Sequence, residues 1–281
     1  MTGLSKSISC FDRIFDKALC DKYNLSIRMQ PDGLFYSVYD PVEGKYIGFE
    51  AVVLAGVSEI YNYISGHPFL NKLFNKKISL FPAYKFTLIP TPLFIEGKEN
   101  EYIDFAHLIT PNEVVGAINL NSANAKMIYA ADHSWIQIIE DHFNESIRYP
   151  MTAAFIDLVL LKYRTSRTSG MFINIYEQNF DLLLIENGKL KYCNNFNYKS
   201  DEDLIYYTIF VVDQLNVNAE KIDVKLMGSI NEKSGMLKLL RKYIRNVELL
   251  NLGEDTRLSY AMADIAIHNY PDLFNSRLCE L

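Results

Sequence analysis

Residues 171–197, MFINIYEQNFDLLLIENGKLKYCNNFN, repeat the pattern of residues 26–50, and this pair restricts the chain to folds made by doubling one hairpin-led unit. In the later copy 172–175 partly alternates apolar with polar residues and 180–185 is a mostly apolar run. Glu186-Asn187-Gly188-Lys189 then supplies turn chemistry before 190–193. That is the pattern of three short antiparallel strands. The earlier copy runs in the same order over 26–29, 34–39 and 45–49, broken by Pro31-Asp32-Gly33 and by Asp40-Pro41-Val42-Glu43-Gly44. Setting Met29 on Ile175 also sets Val38 on Leu184, and after two extra residues in the first turn Gly44-Lys45 falls on Gly188-Lys189.

The repeat extends beyond the hairpins. After the first, Val53, Val57, Ile60, Tyr61 and Ile64 share one face of a helix that ends near Ser65-Gly66. Residues 67 to about 120 have no counterpart later: a helical piece near 70–74 and strands at 85–89 and 93–95, interrupted by Pro90 and Pro92, read as an inserted subdomain. The regular order resumes with a strand at 126–130 and a helix capped by Ser134 that buries Trp135, Ile136, Ile139 and Phe143. A strand at 146–149 and an apolar helix over 151–163 complete the half, and 165–170 is a linker. In the second half Ser200 and Asp203 form a capping box for a helix that buries Leu204, Tyr207, Thr208, Val211 and Leu215. Then come a strand at 222–227, the turn Gly228-Ser229, a helix at 234–245, a strand at 247–250 and a helix at 256–268 after Asp255. Both halves therefore read βββαβαβα, preceded by helical spacing at Ile14, Phe15, Ala18 and Leu19. The expected domains are 1–165, with the insertion at about 67–120, and 166–281.

Composition narrows the setting. An apolar share of 49% with 22% charged residues suits a soluble globular chain, and no run approaches the ~20 apolar residues of a membrane span. The start, MTGLSKSISCFDR, lacks the apolar core of a signal peptide, and Cys10, Cys20, Cys193 and Cys279 form no CxxC pair, which points to reduced thiols in a cytoplasm. A net charge of −6 argues against a nucleic-acid partner. The basic stretches 162–167 and 238–245 read as solvated helix faces. Some of the 19 tyrosines and 17 phenylalanines are expected to form an exposed patch for a protein partner.

Two βββαβαβα halves in tandem, with an insertion in the first, resemble the α/β actin-like ATPase (ribonuclease H-like) fold shared by actin, Hsp70, sugar kinases and bacterial division and pilus-assembly ATPases. More closely, LSIRMQPDGLFYSVYD, FTLIPTPLF and YPMTAAFIDLVLL are similar to an uncharacterised bacterial family of unknown function assigned this fold. The resemblance implies a nucleotide site in which each hairpin offers glycines for close backbone approach and a carboxylate that orders magnesium and water. Here the first acid position falls on Arg28 and the following glycine position on Gln30, with Pro31 removing a donor. In the second half a D-I-G-A-G-S-T-D-L pattern lands on residues 174–182, where Asn174, Tyr176, Glu177, Gln178 and Asn179 replace the expected residues and Asp181 remains. Gly228 and Ser229 stand where two glycines would touch adenosine.

The resulting expectation is a degenerate actin-like scaffold: a non-catalytic binding or interaction protein without a cofactor. The alternative is an ATP-binding or kinase-like phosphotransferase using ATP with magnesium through an atypical loop. A nucleotide would then be lined by Arg28, Gln30, Asp32, Asn174, Glu177, Asn179, Asp181, Gly228 and Ser229. No metal site is expected, because His133 and His142, nine residues apart, fall on opposite faces of a helix. A two-metal nuclease would need several converging carboxylates, and only Asp157 and Asp181 lie near the sheet.

Overall fold

The computed structural model describes residues 7–163, 168–250 and 256–275. The described residues divide into two compact units: those within 4–154, 253–265 and 272–281, and those within 155–252, 1–3 and 266–271.

In the first unit, strand β1 (Ile8–Phe11) precedes a meander of β2 (Asn24–Gln30), β3 (Gly33–Asp40) and β4 (Lys45–Val53), followed by helix α1 (Val57–Gly66) and β5 (Lys76–Phe81). Next come β6 (Lys85–Pro90), α2 (Glu99–Asp104), β7 (Glu113–Leu120), β8 (Ala125–Asp132), α3 (His133–His142) and β9 (Ile147–Pro150); α4 (Met151–Tyr163) follows, its residues from Phe155 onward belonging to the second unit. The main sheet has the order β1-β4-β3-β2-β5-β9, with β5 parallel to β2 and β9 parallel to β5. Period-two alternation puts Leu25, Ile27 and Met29 of β2 on the same face as Leu34, Tyr36 and Val38 of β3. Ile60 and Ile64 of α1 and Trp135, Ile138 and Ile139 of α3 cover that face. Each such side chain, fully buried, contributes about 1.5–3 kcal/mol.

Several elements differ from the sequence expectation. The main-sheet strand that follows the meander and α1 is β5, not 126–130. Within Lys-Lys-Ile-Ser-Leu-Phe the polar Ser79 disguises a buried strand, its Oγ hydrogen-bonded to Ser146 Oγ at 2.8 Å. Residues 126–130 lie in β8, the central strand of a separate antiparallel sheet, β6-β8-β7, whose small core is Ile103, Ile128 and Ala130. Thr91–Leu93 makes a 3-10 turn where proline breaks the expected second strand, and the expected helical piece near 70–74 is irregular. Helix α3 is capped by Asp132, whose carboxylate accepts from Ser134 N at 2.9 Å, rather than by Ser134. Near the N-terminus the helical spacing yields a 3-10 helix, Lys17–Lys22, burying only Cys20, too little apolar surface to hold a longer helix.

The second unit contains β10 (Gly170–Ile175), β11 (Asn179–Glu186), β12 (Lys189–Asn197), α5 (Asp201–Gln214), β13 (Asp223–Gly228), α6 (Gly235–Leu240) and β14 (Asn246–Leu249). Its sheet order is β12-β11-β10-β13-β14, with β13 parallel to β10 and β14 parallel to β13. Asn187 (φ 54°) and Gly188 (φ 74°) make the left-handed two-residue turn that suits a twisted hairpin. The expected capping box forms: Asp203 N donates to Ser200 Oγ and the Asp203 carboxylate accepts from Ser200 N. Leu204, Ile205, Thr208, Val211 and Val212 of α5 and Leu237 and Leu240 of α6 close the core against Met171, Ile173, Leu182 and Leu226.

The helix expected at 256–268 does not form. Tyr46 N donates to Arg257 O and Ser259 N to Tyr46 O, both at 2.9 Å, while Ser259 Oγ donates to Asp12 Oδ2 at 2.6 Å. Backbone groups that a helix would consume are thus taken by strand β4, and the segment makes two 3-10 turns, Tyr260–Met262 and Ile267–Asn269, before helix α7 (Pro271–Asn275). Asp255, Cys279 and residues 165–167 of the expected linker lie outside the described residues.

Candidate functional site

The β10–β11 hairpin turns through Glu177 and Gln178, both exposed, and is closed by Tyr176 N donating to Asn179 O at 2.8 Å. No glycine occurs in the turn, residues 176–179. Antiparallel register sets Asn174 of β10 opposite Asp181 of β11, and Asp181 opposite Asn195 of β12, so three polar side chains cross the sheet in one row. Asn195 Nδ2 donates to Asp181 Oδ1 at 2.8 Å, and Tyr176 OH donates to Asp181 Oδ2 at 3.1 Å while accepting from Asn174 Nδ2 at 2.8 Å. Asn195 Nδ2 also lies 3.3 Å from Asn179 Oδ1. Asp181 is fully buried and Asn174 is 1% exposed. A buried carboxylate needs such donors, and here Tyr176 of the hairpin and Asn195 of β12 supply them.

On the other side of β10, Gly228 pairs with Ile175 in parallel register and adopts φ +83°. A Cβ there would stand 2.1 Å from Ile175 O and 2.8 Å from Asn174 Oδ1, so only glycine fits. Ser229 N then donates to Ile175 O at 2.7 Å. Asn174 Oδ1 is buried, with no hydrogen-bond partner among the described residues.

A polar cavity of about 450 Å³ opens beside this hairpin, within the second unit. Tyr176 and Glu177 form one wall; Tyr198, Lys199, Ser200 and Asp201, at the junction of β12 with α5, form the next. Ser229, Asn231 and the start of α6 from Lys233 to Met236 complete it. Burial and the nearby Asp201 and Glu177 carboxylates push the Tyr198 phenol up to about 12. It therefore stays protonated and donates to Tyr176 O at 2.6 Å, bracing the hairpin.

Of the residues expected from sequence, Glu177 and Ser229 reach the cavity wall. Asn179 and Asp181 lie in the hydrogen-bonded row, Asn174 joins it through Tyr176, and Gly228 serves the strand pairing. Arg28, Gln30 and Asp32 belong to the first unit. There Arg28 makes a buried ion pair with Asp272 of α7 at 2.8 Å and lies over the Phe35 ring at 4.5 Å. Gln30 Nε2 donates to Asp32 Oδ1 at 2.5 Å. No sequence pattern singles out Lys199, Asn231 and Lys233; the capping box at Ser200 and the turn after Gly228 are the local signals nearest to them. Among the described residues, no three His, Cys, Asp or Glu side chains are grouped as a metal would require.

The model of the family described as Protein of unknown function (DUF3822) matches residues 13–247. The chain belongs to this family. A crystal structure from Bacteroides thetaiotaomicron, a protein with actin-like ATPase fold and unknown function, is similar to this DUF3822 member, with a TM-score of 0.76 and 26% identity. The match covers 85% of this chain and 94% of that one. A chain of the PilM-PilN type IV pilus biogenesis complex shares the fold at 10% identity, with a TM-score of 0.62 over 92% of this chain and 99% of that one. The fold is therefore α/β and actin-like. No curated protein matches the sequence. No helix among the described residues is long and apolar enough to cross a membrane.

Proposed function

We propose that this DUF3822 member is a cytoplasmic, non-catalytic binding or interaction protein built on a duplicated actin-like scaffold. The duplication is supported by sheet order: β4-β3-β2-β5-β9 in the first unit follows the same path as β12-β11-β10-β13-β14 in the second. On this reading the β6-β8-β7 sheet is an insertion into the first of two tandem βββαβαβα domains. The observation that carries the loss of ATPase chemistry is the state of Asp181. A carboxylate that orders a magnesium ion must face it. Asp181 instead is sealed from solvent and held by Tyr176 and Asn195. The likeness to a chain from the PilM-PilN complex supports a protein as the partner class.

The second reading, ATP binding or kinase-like phosphotransfer with magnesium, is favoured by the polar cavity, where Lys199 and Lys233 offer cations beside Ser229. Titration calorimetry of the full chain with magnesium-ATP separates the two. No saturable heat supports the first; micromolar binding weakened by Lys233→Glu and by Ser229→Trp establishes the second.

A further inference from the structure

The second unit carries another cavity, about 430 Å³, set between α5 and α6. Its apolar lining is Ile205, Tyr206, Ile209 and Phe210 of α5, Leu239 of α6 and Tyr243 beyond the end of α6. Tyr206, Phe210 and Tyr243 are 64%, 47% and 55% exposed, a concentration of aromatic surface that soluble chains leave uncovered chiefly where something docks.

The charges in the lining select the occupant. Glu202, Tyr206, Ile209 and Asp213 recur at i, i+4, i+7 and i+11, one stripe along α5 with an acid at each end, about 16 Å apart at 1.5 Å per residue. Both acids are exposed, and neither makes an ion pair with another described residue. No described cation lines the groove: Lys238 and Lys242 are exposed outside the lining, and Arg241 and Arg245 are engaged by Glu232 and Glu220. The groove is therefore apolar along its length and negative at both ends of the α5 stripe. An anionic lipid surface or a nucleic acid would meet like charge there. An extended peptide would find no strand edge to pair with, because both walls are helices whose backbone groups are already bonded. What fits is a helix that satisfies its own backbone, lays an apolar ridge between α5 and α6 and brings a cation to each acid.

We propose that the α5–α6 groove binds a cationic amphipathic helix of a partner protein. Apolar side chains of that helix, at i, i+3 or i+4 and i+7, cover the aromatic floor, and lysines or arginines about 11 residues apart meet Glu202 and Asp213. Such docking rests on the binding-protein assignment and gives it a partner class and a face.

Fluorescence anisotropy of the full chain with a labelled synthetic helix tests it. The probe has about 16 residues, leucine and phenylalanine along one face, and an arginine at each end of that face, ~11 residues apart. Micromolar binding that weakens as salt is raised is expected. Phe210→Glu is expected to weaken it at least about tenfold, and so is Glu202→Lys with Asp213→Lys. A second probe, with glutamates in place of the arginines, is expected to bind that charge-reversed variant and not the parent, which also shows that the variant stays folded. Failure of the arginine probe to bind the parent, equal affinity of the parent for both probes, or binding unchanged by Phe210→Glu overturns the docking. Loss of the groove in this way leaves the non-catalytic scaffold standing, whereas saturable heat with magnesium-ATP removes that scaffold reading and leaves probe binding untouched.

Discussion

Arg28 Nη1 donates to Asp272 Oδ1 at 2.8 Å, joining strand β2 to helix α7 across 244 residues of sequence, with both side chains almost wholly buried. Removing one partner of a buried pair strands the other charge, so Asp272→Ala is expected to destabilise the protein by about 3–5 kcal/mol in urea unfolding. Replacing both, Arg28→Met with Asp272→Leu, exchanges the pair for apolar packing and is expected to come within about 1 kcal/mol of the parent or above it. A double variant as unstable as Asp272→Ala would show that the pair itself, not the stranded charge, holds α7 in place.

Gly228 is fixed by geometry rather than by ligand contact. At φ +83°, where an added methyl would stand only 2.1 Å from Ile175 O, Gly228→Ala must move β13 away from β10. The expected cost is at least about 2 kcal/mol, combining left-handed strain with the clash. Gly66→Ala, at the end of α1 where an added Cβ would meet no other part of the described residues within 4 Å, is the control and is expected to be neutral or slightly stabilising. Denaturant midpoints of the two variants give the comparison.

The meanders are legible in the sequence because their signals are local: alternation sets β2 and β3, and Asn187-Gly188 fixes a turn whatever surrounds it. Strand β5 is not legible, since Ser79 looks solvent-facing until Ser146 arrives from a distant part of the chain to satisfy it. Residues 256–268 have a helical pattern that loses to backbone pairing with Tyr46, an override set by tertiary contact. At the site, the hairpin's departure from a phosphate loop can be read from Tyr176 and Glu177 directly. That Asp181 is sealed cannot, because Asn195 comes from the next strand and only register places it there.

His67 should give the protein an acid-sensitive step. Its Nε2 lies 3.2 Å from Tyr36 OH and its Nδ1 accepts from Leu70 N at 3.3 Å, while burial, with Lys17 nearby, lowers its pKa from 6.5 to about 4. In the unfolded chain the ring protonates near 6.5, so the unfolded state binds more protons as pH falls from 6.5 towards 4. Stability associated with the neutral ring is therefore complete above pH 6.5 and is lost across that window. Urea midpoints measured from pH 7 to pH 4 are expected to fall less steeply for His67→Gln than for the parent, and equal slopes would count against it.

Tyr176 tests whether the hairpin is a structural cap over Asp181. Its hydroxyl accepts from Asn174 Nδ2 at 2.8 Å and donates to Asp181 Oδ2 at 3.1 Å, so Tyr176→Phe takes a donor from a buried carboxylate and an acceptor from a buried amide. Leaving such groups short is expected to cost about 1–3 kcal/mol. Asp181→Asn in the Tyr176→Phe background removes the charge that needed the donor and is expected to recover part of that loss, which a double-mutant cycle by urea unfolding measures directly. If Tyr176→Phe is neutral in stability yet creates saturable magnesium-ATP binding, the Tyr176 hydroxyl blocks a nucleotide site and the proposal of a non-catalytic scaffold without a cofactor fails.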